Sequence, residues 1–446
     1  MRFRVRFSAC LLASVLFAAC TSGNAGRNQI GRIPQPIVSG IPVAPDSARV
    51  DLTVPTFSHP THVTNPLFPV SRQLSVLFVG HVEGKPFRTE VTLLPYTRII
   101  EWEGHRTETL VSQYVAYLDG RLQEVAYDKY AQADDGSVWY FGEDVVDVEH
   151  GAIVSSEGTW IAGKDGPPAM IMPAHPKVGD AFRTENIPGI AFEEVTVKAV
   201  DRTLRGPLGP IPGGLVGREL HMDGKHEGKL FAPGYGEFYT ADGPDVEALA
   251  LAVPTDAAHA PLPTDLRAMA DGALRVFDAV SSKDWPAASA ASRSAAAAWD
   301  RYRTGDVPRL LRPVIARAVR SLSGTVRARD PARARQAAID AARWSFDLQL
   351  PYRAPVEINL ERFDLWAAQV LVDAAARDLQ SVRGDVFTLE YIRDRIQRAL
   401  DPVQMNEVNL RLENLWTAEA DGHFGAVVRA AHGLRATLAA RLAASR

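Results

Sequence analysis

The strongest constraint on the fold is a change of period part-way along the chain. Over residues 51–255, short runs rich in Val, Ile, Thr, Tyr and Phe alternate with Gly and Asp turns, the pattern of antiparallel strands. From about residue 262 the apolar residues recur at i, i+3 and i+4 instead, as they do on helix faces. Strands first and helices second define an α+β chain. An antiparallel β domain, either a sandwich or an open half-barrel, is expected over 51–255. A helical domain is expected over 256–446.

Individual elements can be placed. Ser75–Val79 and Thr89–Leu94 read as strands. Val111–Tyr117 meets Leu122–Tyr127 across Asp119-Gly120, where glycine accepts the positive φ of a tight hairpin turn. Asp134–Ser137 turns the chain into Val138–Phe141. In the helical half, Leu360, Phe363, Ala367, Val370 and Ala374 form one apolar stripe, and Phe424, Val427, Ala431, Leu434, Leu438 and Leu442 form another. Asp330-Pro331 and Asp401-Pro402 each set a side-chain acceptor before a proline suited to a helix start. Asn359 and Asp306 are further cap candidates. Asp284, Asp330, Asp378 and Asp421 recur at intervals of 46, 48 and 43 residues. That spacing suits helical hairpins, stacked as a short repeat array or closed as a bundle.

The N-terminus carries Arg2, Arg4 and Arg6, then an apolar run over 7–19 too short for a transmembrane helix. Ala18 and Ala19 precede Cys20, and residues 1–19 resemble the signal peptide of a bacterial lipoprotein. The resemblance implies diacylglycerol on Cys20 and an exported protein anchored at the cell envelope. Thr21 after the cysteine points to the outer membrane of a two-membrane organism, and otherwise the outer face of the cytoplasmic membrane is expected. Residues 20–50, with Pro34, Pro36, Pro42 and Pro45, read as a flexible tether. The chain has two cysteines, Cys10 and Cys20, so the mature body holds no disulfide or thiolate metal centre.

Charge is unevenly divided. Residues 20–255 hold 19 Lys and Arg against 30 Asp and Glu, whereas residues 256–446 hold 27 against 23. Either the basic half docks on the acidic half or on an acidic protein partner, or the Ala/Arg-rich helices reflect coding bias alone. Nucleic acid is a poor partner, because the chain is read as exported and lacks a long basic run.

Asp135–Glu143, Gly158–Trp160, Met172–Asp180 and Ala232–Gly236 resemble recurring blocks of an uncharacterised family of bacterial exported proteins and lipoproteins. The resemblance implies the fold and the location and brings no activity with it.

Three groups of side chains suggest chemistry. Met170, Met172 and His175 offer two thioethers and an imidazole, a set that copper(I) favours; methionines at alternate strand positions also fill cores. Trp139, Tyr140, Glu143 and Asp144, with Asp147 and Glu149 beyond, combine aromatic rings with carboxylates. That combination suits calcium, a glycan or an acid/base pair, or a solvated acidic strand edge. His221, Asp223 and His226 form a third set across a turn, and His59 and His62 lie in an extended segment around Pro60. Gly-x-Ser-x-Gly, Ser-x-x-Lys with its partners and His-Glu-x-x-His are absent from the sequence. The expected function is a membrane-anchored binding or scaffold module. The alternative is a copper or calcium carrier, or a glycan-acting enzyme, with its site in the β domain.

Overall fold

The computed structural model describes residues 32–33 and 40–445, so the export signal and Cys20 lie outside the described residues. The first half of the sheet is β1 (Ser75–Val82), β2 (Lys85–Trp102), β3 (His105–Leu118), β4 (Arg121–Gln132) and β5 (Val138–Glu149). Three short strands follow: β6 (Ala152–Ser155), β7 (Trp160–Ile161) and β8 (Ala169–Met172). The return half is β9 (Ala181–Ile187), β10 (Ala191–Arg205), β11 (Pro210–His221), β12 (His226–Ala232), β13 (Gly236–Asp242) and β14 (Asp245–Val253).

Consecutive long strands pair antiparallel, and β14 pairs back onto β1 with Val253 opposite Ser75. The meander therefore curls on itself. β8 is bonded to β5 and lies against β9, so it fills the seam where the two halves meet. This single sheet is the half-barrel alternative, drawn almost closed, and not a sandwich of two sheets. Asp119 and Gly120 both take positive φ, 50° and 76°, as the two central residues of a tight hairpin turn do.

Residues before β1 are part of the body. Phe68 packs its ring edge on Tyr130 at 5.1 Å. Asn65 donates to the carbonyls of Gly136 and Pro173, and Gly234 N–H donates to Pro66. These contacts lay residues 56–74 across the rim of the sheet that carries the β4–β5 and β12–β13 turns. The tether expected over 20–50 does not extend that far. Ile33 is buried, Val50 N–H donates to Ala181 O, and Asp51 is held by Arg49 and by the Arg183 amide.

The helices are α1 (Thr264–Ser281), α2 (Trp285–Tyr302), α3 (Leu311–Ala328), α4 (Pro331–Asp347), α5 (Pro355–Ala376), α6 (Leu379–Ile396), α7 (Pro402–Ala420) and α8 (Phe424–Ser445). α1 packs on α2 and α4, and α3 packs on the same two, which closes a four-helix bundle. α5 to α8 repeat the arrangement, and α4 packs on α5. The recurring aspartates mark the hairpins of these bundles. Asp284, Asp330 and Asp378 cap helix N-termini, Asp401 completes a capping box with Gln404, and Asp421 instead closes α7. Asn359 and Asp306 are not caps. Asn359 lies inside α5, and α3 starts after Leu310. The stripe from Leu360 to Ala374 is fully buried, because α5 runs between the second bundle, α4 and the sheet.

Helices meet sheet through a buried ionic network. Arg88 on β2 holds Asp347 at 2.6 and 3.0 Å and Glu90 at 2.6 Å. Glu90 also takes Arg395 at 2.5 Å and Arg362 at 3.5 Å. Tyr117 stacks on Trp366 at 5.5 Å. The arginine-rich half does dock on the acidic half here, but the traffic is reciprocal: sheet arginines Arg88 and Arg121 take helix aspartates Asp347 and Asp373.

Candidate cation site in the sheet cavity

Because strand residues alternate between faces, a curled sheet brings one residue in two from each strand to its inside. The inside here is acidic. A cavity of about 130 Å³ is lined by eight carboxylates and one lysine. β4 supplies Glu124 and Asp128, β5 Glu143, β9 Glu185, β10 Glu193, β11 Glu219, β13 Glu237 and β14 Glu247, and Lys229 comes from β12. Tyr130 and Tyr140, stacked at 4.9 Å, close the end nearest Phe68. Toward the opposite rim, Glu124 also lines a cleft of about 540 Å³. The turns at Glu83, Asp119 and Gly151 and the first turns of α6 bound that cleft.

Most of these acids are buried deeply. Glu143, Glu185, Glu193, Glu219 and Glu247 are 2–7% exposed. Burial of a carboxylate favours its neutral form, and each neighbouring negative charge adds to the effect. Burial and Glu193 push Glu185 and Glu219 up to about 8. Burial, opposed by Thr89, takes Glu247 up to about 8, and burial takes Asp128 up to about 6 against a 2.8 Å hydrogen bond from Tyr140. Burial together with Glu185 and Asp128 raises Glu143 well above the carboxylate range.

Two cations answer this charge. Lys229 Nζ lies 3.2 Å from Glu219, 3.1 Å from Glu237 and 3.5 Å from Glu227. Burial opposes its charge, but Glu219, Glu237 and Glu227 hold it well above the ordinary lysine range. His221 Nδ1 lies 3.4 Å from Glu193, and Nε2 lies 3.8 Å from Glu219 and 3.6 Å from Glu227. Burial lowers His221, yet contacts with Glu193 and Glu227 overcome that and push it up to about 11. Glu193 goes the other way. Burial raises it, but His221 and Lys229 bring it down to about 2.

The structure divides the groups picked out by sequence. Tyr140 and Glu143 face the cavity, whereas Trp139 sits in an apolar cluster and Asp144 is on the outer face against Lys129 at 2.7 Å. Asp147 and Glu149 line the larger cleft, so the four acids at 143, 144, 147 and 149 do not form one calcium site. Met170 and Met172 share a face of β8, but it is the face buried in the apolar cluster, away from Ile171 and the cavity. His175 is exposed beyond the strand end, so the copper set does not assemble. His221 stands beside the cavity's acids, with different partners from those expected. Asp223 turns to Lys225 at 3.0 Å, and Glu193, Glu219 and Glu227 surround the imidazole instead.

Comparisons with known proteins give no further guide: no protein-family model matches the chain, and no curated protein is significantly similar to it. Among the described residues no helix is long and apolar enough to cross a membrane.

Proposed function

We propose that the protein is an exported binding module, anchored to the bacterial cell envelope by lipid on Cys20, which takes a small cation into the cavity of its sheet. One observation carries the ligand class: eight carboxylates and one lysine line a single cavity. Carboxyl groups buried at that density keep protons that a bound cation would displace. The volume, about 130 Å³, falls below the roughly 300–1,000 Å³ of sites for larger molecules. It suits a metal ion with a few waters or the head of an alkylammonium. The cleft beside Glu124 offers the approach. The resemblance to exported lipoproteins supports the location.

Thermal melts of the detergent-extracted protein test the ligand class. Divalent metals or 1,4-diaminobutane should raise the melting temperature by several degrees, and glucose or phosphate should not. The Glu185→Gln/Glu247→Gln double variant should respond less. Stabilisation by phosphate, or by no cation at all, would reject the reading. For the anchor, wild type should sediment with membranes through a high-salt wash while Cys20→Ala is released; equal release of both would rule the anchor out.

A further inference from the structure

Resting on that reading, the geometry points to one site for a divalent transition-metal ion of the zinc type, held by Glu193, Glu219 and His221 with Glu227 beside them. One donor atom from each of the first three lies within 4.8 Å of the other two. Tetrahedral bonds of about 2.0–2.1 Å set donors about 3.3 Å apart, so modest side-chain rotation brings them onto an ion. The ladder fixes their spacing, since Glu193 stands opposite His221 and Glu219 opposite Glu227 on adjacent strands.

A second observation points to a ligand. His221 Nε2 is buried without a hydrogen-bond partner, and Glu219 Oε2, on a residue only 2% exposed, has the Lys229 ammonium 3.2 Å away but no aligned hydrogen bond. They face each other at 3.8 Å, with Glu227 3.6 Å from the same ring nitrogen. Buried polar atoms normally find partners, and an ion between them satisfies all three. An imidazole among carboxylates favours zinc, iron or nickel over calcium and magnesium, which prefer all-oxygen shells. Lys229 is a built-in competitor. Its ammonium, 3.2 Å from Glu219 and 3.5 Å from Glu227, draws on the same oxygens and holds the affinity down, which suits a site that must release its ion.

The test uses the full protein, extracted and stripped with chelator, with Zn²⁺, Co²⁺ and 1,4-diaminobutane as separate probes in equilibrium dialysis. About one equivalent of zinc should bind. His221→Ala should weaken it by about tenfold or more, the scale of losing a metal's immediate support, and Lys229→Met should tighten it. Cobalt on the wild-type protein should give the intense visible bands of a low-symmetry nitrogen–oxygen site, a readout that does not depend on any variant folding. Zinc binding unchanged by His221→Ala, or a cobalt spectrum identical to the aqua ion, would overturn the site. Binding of diaminobutane with no metal bound would overturn it and leave the acidic-cavity reading standing. Binding of no cation would overturn both.

Discussion

The two faces of one sheet bury charge in opposite ways. On the outer face, Arg88, Arg362 and Arg395 converge on Glu90 and Asp347, each acid touched by two or three guanidiniums. On the inner face, carboxylates outnumber cations several-fold, and Glu219 and Glu247 each leave a buried oxygen without a hydrogen bond. Buried acids that are each paired with guanidiniums lock elements together. Buried acids in excess of the cations around them are incomplete, and their natural complement is a cation. The outer network is the joint between sheet and helices, and the inner one is the place proposed to receive a cation.

That contrast can be broken by experiment. The largest effect is expected for Glu90→Ala, which strands Arg88, Arg362 and Arg395 without their shared anion and should cost about 3–5 kcal/mol in urea melts. A cost under about 1 kcal/mol would mean the network is dispensable. Next is pH. Glu185 and Glu247 keep protons in the folded state up to about pH 8 but lose them near pH 4.3 when unfolded. Between those values the folded protein binds more protons, so stability falls as pH rises. Glu90 acts below that window. Although burial opposes its charge, Arg362, Arg88 and Arg395 depress it, so it stabilises the fold above the unfolded value and is lost as pH drops. Metal-free protein should therefore melt highest near about pH 4.5 and several degrees lower at pH 8; a melting temperature that climbs from pH 5 to 8 would contradict the inner-face charge excess.

Smaller effects sharpen the picture. Glu247→Gln replaces a carboxyl that is neutral in the folded state up to about pH 8 by a neutral amide, and should leave stability unchanged or raise it by about 1 kcal/mol toward pH 8, the reverse of Glu90→Ala. Chemical denaturation reads the sign directly. Asp144→Asn should change stability by less than about 0.5 kcal/mol, since Asp144 is 62% exposed in its pair with Lys129. Cation binding should be untouched, because Asp144 lies on the outer face, and a loss of binding in dialysis would put that residue back in the site.

What the sequence reveals follows the range of the interactions. The hairpin at Asp119-Gly120 and the caps at Asp330 and Asp401 are local, so a few neighbouring residues determine them. The helical hairpin period is legible for the same reason, although bundle and repeat array share it until packing decides. The cavity is not local. Glu143, Glu185, Glu193, Glu219 and Glu247 come one from each of five strands, and of the residues around the ion only Glu219, His221 and Glu227 share one stretch of sequence, the β11–β12 hairpin. Reading along the chain joins Glu143 to Asp144, which point to opposite faces, and His221 to Asp223, which bends into a turn. The usable signal was a glutamate set among apolar strand residues, as in Phe192-Glu193 and Val246-Glu247-Ala248. Such a residue has to face something other than water. Met170 and Met172 mislead for a related reason: donor chemistry is visible in sequence, but the apolar neighbours that claim those side chains are supplied by other segments.

The pairing of β14 with β1 bears on how the molecule is made. Ser75 emerges early in synthesis and Val253 much later, so one flank of an apolar strand waits for most of the sheet to be completed. Contacts of such sequence separation slow folding, and an unpaired edge of this composition invites association with other chains. Ring completion by the last strand should therefore be the slow step in forming this protein, with the two helical bundles, built from neighbours in sequence, assembling faster once their residues are free.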